Sequence, residues 1–328
     1  MAVAKSGIEW TDSTWSPVTG CTKVSAGCDN CYAESIAHRF AGTPAFPNGF
    51  DVTLRPERLD QPLRWKRPRR IFVNSMSDLF HGDIPDEYIA KVFAVMALAP
   101  QHTFQILTKR HGRMRSLLND AWWFETLLPE LIHRLADGRG YEVRYPLPNV
   151  WLGVSVEDQK AADLRIPALL ATPAAVRFIS AEPLLGPVSL GSLEPCDHKR
   201  QSHIDIGCWR ALDWVIAGGE SGPNARPMHP DWARRLRDEC QAAGTAFLFK
   251  QWGEWKPWNG ASDTHLLQTT GQLITRESGT MRSGPGRPQD LVDRGHPGWV
   301  RISRVGKKRA GRELDGRTWD EFPKAVAS

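Results

Sequence analysis

RIFVNSMSDLFHGDIPDEYIAKVFAVMALAPQHTFQILTK, residues 70–109, decides the fold class. Its first seven residues, RIFVNSM (70–76), are apolar and β-branched or aromatic before turning polar, as a buried parallel strand should be. PDEYIAKVFAVMALAP then opens with Pro85 and two acids, which suits a helix start. It places Ile89, Val92, Phe93, Met96 and Ala97 on one face and stops before Pro100. TFQILTK (103–109) is a second strand of the same kind. A strand, a crossover helix and another apolar strand predict a parallel pair with a right-handed connection.

The same unit recurs outward from this stretch. Further strands are predicted at TWSPV (14–18), NVWLGVSV (149–156), AVRFIS (175–180), DWVIAG (213–218) and TAFLFKQ (245–251). GRMRSLLNDAWWFETLLPELIHRLADG is helical in pattern and expected to break near Pro129. DQKAADLRIPALLATP is a helix that Pro167 should kink or restart, and HPDWARRLRDECQAAG runs from Pro230 to a C-terminal Gly244. About seven βα units predict an α/β fold, a partial or full (β/α) barrel of the TIM type. Residues 1–252 form that barrel in this reading. Residues 253–328 lose the rhythm and form a C-terminal extension packed on it, with ESGTMRSGPGRP as a flexible loop and a basic tail from Arg301 to Arg317.

In such barrels chemistry sits at the C-terminal strand ends. Those ends are polar here: Asn74, Ser75, Ser77 and Asp78; Thr108, Lys109 and Arg110; Ser155, Glu157 and Asp158; Ser180 and Glu182; Glu220 and Ser221; Lys250 and Gln251. Net charge is +5, from 42 basic and 37 acidic residues, which permits a phosphate-bearing partner without demanding one. No apolar run reaches eighteen residues, and MAVAKSGIEWTD lacks the apolar core of a secretory signal. A cytoplasmic location with no membrane partner is therefore expected. Thiols stay reduced there, so clustered cysteines point to metal binding or catalysis rather than disulfides.

Such a cluster exists. GCTKVSAGCDNCYAES (20–35) carries Cys21, Cys28 and Cys31 between the first strand and the helix CYAESIAHRF, at the predicted mouth of the barrel. Zinc would recruit a fourth ligand, and His38 lies seven residues on. A [4Fe–4S] cluster instead accepts three thiolates and leaves one iron free, which suits a position above a polar pocket. Cys196, His198, His203 and Cys208 form a second conceivable metal set, with spacings that match no strong zinc signature.

The triplet resembles that of radical S-adenosylmethionine (SAM) enzymes, although the first gap is three residues longer than their C-x3-C-x2-C and Asn30 stands where an aromatic residue is usual. More of the chain resembles a phage-associated three-cysteine family of unknown function with radical-SAM-like character. That likeness rests on WTDSTWSPVTGCTKVSAGCDNCYAE, FVNSMSDLFH, ILTKR, WLGVSVE, ISAEPLLGP, DWVIAGGESGPNARPMHPDW, FLFKQWGEW and RVGKKRAGRELDGRTWDEFP, and runs from about Ile8 to Pro323. It implies a radical SAM type of barrel whose cluster, on Cys21, Cys28 and Cys31, cleaves SAM to a 5′-deoxyadenosyl radical. An electron donor such as flavodoxin or ferredoxin is implied as partner.

The resemblance gives the amino group of SAM to Asn74, Ser75, Ser77 or Asp78, and the ribose hydroxyls to Ser155 and Glu157. It points Glu182, Glu220 and Lys250 at the substrate, with a nucleobase or nucleoside, in DNA or free, as the substrate expected. The GGE at Gly218–Glu220 follows a later strand than the radical SAM GGE and is not that motif. Gly218, Gly219 and Gly222 there serve either close backbone approach or a tight turn. Two rival readings are a zinc-stabilised nucleic-acid-binding protein and a hydrolase. The first uses RISRVGKKRAGR as its phosphate contact, with Trp299 and Trp319 stacking on bases. The second uses Glu182 and Glu220 as an acid/base pair. No serine elbow or P-loop motif is present.

Overall fold

Seven short strands lie side by side in chain order. They belong to a computed structural model that describes residues 6–137, 141–192, 211–257, 272–275, 281–282 and 299–324. Cys196, His198, His203 and Cys208 lie outside the described residues, as does most of the expected loop ESGTMRSGPGRP.

The chain opens with β1 (Ser13–Trp15), β2 (Val18–Thr19), α1 (Tyr32–Arg39) and β3 (Thr53–Leu54). Next come β4 (Arg70–Val73), α2 (Asp86–Ala97), β5 (Thr103–Thr108), α3 (His111–Leu118) and α4 (Leu128–Leu135). Then follow β6 (Val150–Ser155), α5 (Gln159–Leu170), β7 (Val176–Ala181), β8 (Trp214–Gly218), α6 (Pro230–Ala243) and β9 (Ala246–Gln251). The main sheet has the order β1-β4-β5-β6-β7-β8-β9, and every neighbouring pair is parallel. Because each strand is added on the same side, the sheet curls steadily and forms a half-barrel. β1 and β9 are its edges, so the partial barrel is the form adopted among the described residues.

Most predicted elements are present, with three local corrections. TWSPV is not one strand: β1 ends at Trp15, and Val18 starts β2, which pairs antiparallel with β3. Pro167 does not interrupt α5, which continues to Leu170 from an Asp158 cap whose side chain accepts the Ala161 N–H at 2.8 Å. Pro129 does not break the helix either: it lies inside a run that continues from residue 121 to Leu135 and directly follows a π turn over Trp123–Leu127, and the helical run pauses earlier, at residues 119–120.

The helices pack on the convex side of the sheet. α2 is buried at Tyr88, Ile89, Ala90 and every residue from Val92 to Ala97, more than the one-sided stripe predicted, because α4 packs against it as well. A second, smaller cluster fills the concave side: Trp10, Phe72, Trp151, Val176, Phe178, Trp214, Ile216 and Leu248.

The C-terminal extension adds a four-stranded sheet, in the order β10 (Trp255–Pro257), β13 (Trp299–Arg304), β11 (Gln272–Thr275) and β12 (Met281–Arg282). After it the chain runs back along the free edge of β9. The Phe249 N–H donates to the Trp319 carbonyl at 2.9 Å, and the Glu321 N–H to the Phe247 carbonyl at 3.2 Å. Among the described residues no helix is long and apolar enough to cross a membrane.

Candidate functional site

Side chains alternate across a strand, so every second residue of the half-barrel faces inward. Reading up the strands, the inward positions are apolar low down and polar at the top. Phe72 is followed by Asn74, Leu107 by Lys109, Phe178 by Ser180 and Glu182, Ile216 by Gly218 and Glu220, and Leu248 by Lys250. Trp10 plugs the lower part, with its ring centroid 4.6 Å from Phe72 and 6.2 Å from Trp214. Above this floor lies a cavity of about 420 Å³, within the range of small-molecule sites. Its rim includes Cys21, Cys28 and Cys31.

The cysteine loop is set by its backbone. Gly20 has φ +86, and a Cβ there would lie 2.1 Å from the Asp51 carbonyl oxygen, so only glycine fits the turn. The Gly20 N–H donates to Met76 O at 3.0 Å and the Cys21 N–H to Phe50 O at 3.1 Å. Cys31 then caps α1. All three thiols are free and half-buried. Burial, helped by the Asp78 charge, pushes the Cys21 thiol up, against the pull of Arg110, whose guanidinium is 3.9 Å from its Sγ. Among the described residues no three His, Cys, Asp or Glu side chains converge to hold a metal ion. His38 is exposed and faces Glu34 at 3.9 Å, outside the cavity lining, so it is not the fourth ligand a zinc site would need. Three soft thiols of one loop stand at one cavity mouth, a donor set of the kind that thiophilic metal centres use.

The structure sorts the expected SAM-binding residues. Asp78 lines the cavity, but its carboxylate is spent on the protein: it accepts from the Thr108 hydroxyl at 2.7 Å and from the Lys109 and Phe80 amides at 3.0 Å. Ser77 donates to Val18 O at 2.8 Å. Asn74 and Ser75 remain on the cavity wall, and the Tyr32 hydroxyl donates to Ser75 O at 2.6 Å. Ser155 lines the cavity as expected, whereas Glu157 does not; both its oxygens are bound by Arg165, at 2.7 and 3.2 Å.

The expected substrate-facing residues also divide. Glu182 and Lys250 form an ion pair at 3.0 Å inside the cavity, with the Ser180 hydroxyl 3.4 Å from the carboxylate. Glu220 lines the same cavity and is also a structural tie. It accepts from Asn30 of the cysteine loop at 3.1 Å and from the Arg226 backbone and guanidinium at 2.6 to 2.9 Å. Burial would raise its pKa, but these bonds hold it below the ordinary value. The glycines beside it serve both suggested ends. A Cβ on Gly218 would lie 2.6 Å from Glu182 Oε1, and one on Gly219 2.0 Å from Trp252 O, while Gly222 takes φ +108.

Sequence reasoning missed Arg226, Asn30 and Trp10. Arg226 also reaches Asp29 at 3.1 Å and Ala26 O at 2.8 Å, so one side chain fastens the end of β8 to the cysteine loop. Its only sequence signal is a basic residue closing the turn-rich run GGESGPNAR. The basic tail is not a free strip. Arg301 is buried, Arg304 donates to Gly222 O and Pro223 O, and Arg312 donates to Lys250 O at 3.0 Å. Lys307 reaches the cavity rim. Trp319 packs edge-on to Phe247, with Arg317 over its ring at 4.0 Å, and so is not presented for base stacking; the Trp299 side chain lies outside the described residues. The chain belongs to the DUF5131 family, described as a protein family of unknown function, whose model matches residues 5–323. No curated protein and no solved structure matches it.

Proposed function

Within that family, we propose that this chain is a radical SAM enzyme acting on a nucleobase or nucleoside, with a [4Fe–4S] cluster held by Cys21, Cys28 and Cys31. One observation carries the reading: three thiols of a single loop open onto the same cavity as an acid–base pair and an amide with no protein partner. When bound, such a cluster supplies the single electron that cleaves SAM to a 5′-deoxyadenosyl radical. The chain's own residues do the rest. Ser75 and Asn74 are the polar groups of the β4 end still open to a ligand. The aromatic floor of Trp10 and Phe72 excludes water from beneath it. Lys250 Nζ and Glu182 Oε1, 3.0 Å apart, hold a proton that can be given to or taken from a substrate atom. The electron comes from an external donor of the flavodoxin or ferredoxin kind.

Anaerobic reconstitution with iron and sulfide tests this directly. About four irons per chain, a brown protein and reductant-dependent release of 5′-deoxyadenosine from SAM are expected. Cys28→Ala should abolish all three. A colourless protein with one zinc per chain under iron-replete anaerobic conditions would overturn the reading.

A further inference from the structure

The cavity wall leaves a particular set of polar atoms unmatched. Asn74 is 3% exposed, yet both its Nδ2 and its Oδ1 lack a partner. Either assignment of the amide leaves one donor and one acceptor without a bond. Its backbone is firmly held, with its N–H on Trp15 O at 2.7 Å and its carbonyl accepting from Ser77 N–H at 3.1 Å. The φ of +59 is a left-handed conformation that asparagine tolerates better than most residues. Two more lining groups are in the same state: Trp10 Nε1, in a residue 2% exposed, and Gln251 Oε1, in a residue 5% exposed. Buried donors and acceptors without protein partners are costly, so where they line a cavity the missing bonds fall to what fills it, a ligand or water.

The pattern selects among ligands. An ammonium would satisfy only the Asn74 oxygen and leave its NH2 unmatched; a carboxylate would do the reverse. A heterocycle edge with adjacent donor and acceptor satisfies both at once, as asparagine does with an adenine edge. The flat apolar surfaces of Trp10 and Phe72 suit the ring of such a ligand. We propose that Asn74 reads the donor–acceptor edge of a nucleobase in this cavity. The proposal deepens the nucleobase part of the function given above and is independent of the cluster. The base has two sources with this chemistry, the adenine of SAM and the base of a separate substrate.

The experiment uses the full chain without cluster. Binding of adenosine, guanosine, cytidine, thymidine and SAM is measured by calorimetry for the parent protein and for Asn74→Asp, which keeps the shape and replaces the donor. At least one of these should bind the parent protein, and Asn74→Asp should weaken that binding about tenfold or more. Binding of adenosine alone, in competition with SAM, identifies the cofactor's adenine as the base that is read. Binding of another nucleoside alongside SAM identifies the substrate's. No binding of any of the five at millimolar concentration, or equal affinity in parent and variant, overturns the proposal. Should Asn74→Asp not fold, Asn74→Gly retains the left-handed backbone and takes its place. In the parent protein the Asn74 side-chain amide NMR signals should also move on ligand addition, and unmoved signals under saturation count against the proposal. Because no turnover is read, this result and the SAM-cleavage result can fail separately.

Discussion

A carboxylate that is 2% exposed is retained only if a partner compensates its lost hydration, and Glu157 has Arg165 on both oxygens. Burial pushes the Glu157 pKa up, but Ser25, Arg165 and Lys109 together hold it below the ordinary 4.5. The folded-state pKa is therefore the lower one. The pair contributes stability above about pH 4.5 that is lost as the pH falls through the folded-state value. Arg165→Leu should cost about 3–5 kcal/mol by urea unfolding at neutral pH, because it strands a buried charge. Glu157→Gln with Arg165→Met should cost clearly less and flatten the acid limb of the stability curve. Equal losses in the two would show that packing and not charge sets the cost. The sequence places Glu157 at a polar strand end, which is why it reads as a ligand contact. It cannot show that Arg165, eight residues on and midway along the next helix, turns back to meet it. The same limit hides Asp78, whose partners Thr108 and Lys109 come from the neighbouring strand.

Elements were more legible than their contacts. The βα rhythm is carried by local hydrophobic period, so the sheet order and the placing of the cysteine loop at the mouth of the half-barrel follow from residues near in sequence. What was not legible is the fastening of one loop by another 190 residues away: Asn30 to Glu220, and Arg226 to Asp29 and Ala26 O. The planar guanidinium makes four contacts here, a geometry lysine cannot reproduce. Arg226→Ala should release the cysteine loop. In the apo protein, Cys28 and Cys31 should then react several-fold faster with a thiol reagent, and the melting temperature should fall as well, because the buried Glu220 loses the guanidinium on both its oxygens. Arg226→Lys should lie nearer to alanine than to the parent. Parent-like modification rates in Arg226→Ala would mean the loop is held by its own turn at Gly20 and the fastening is incidental.

At the scale of the whole molecule, a half-barrel must manage two exposed edges and an open concave face. Here the C-terminal segment serves one edge and part of that face. Residues 319–321 run antiparallel along β9, and the Phe247 N–H is taken by the Glu321 carboxylate at 3.0 Å. Phe322 then turns under the floor, 5.0 Å from the Trp214 ring, with the Arg70 guanidinium 4.3 Å over its own ring. It thereby joins the start of β4 to β8 across the gap left by the missing part of a barrel. Of the tail's basic residues, Arg301 is buried and Arg304 and Arg312 donate to backbone carbonyls, while Lys307, Lys308 and Arg309 stay exposed. Phe322→Ala and Trp319→Ala each remove a half-buried ring, and each should cost about 1–2 kcal/mol, less than the value for full burial. Their combination should do more than add, since the first loosens the segment that the second anchors. The double variant should also expose the β9 edge and the concave aromatics, so light scattering should register association that the parent does not show. If the double variant stays as monodisperse as the parent, and its loss of stability equals the sum of the single losses, the tail is a passenger on the half-barrel and the edge is protected by other means.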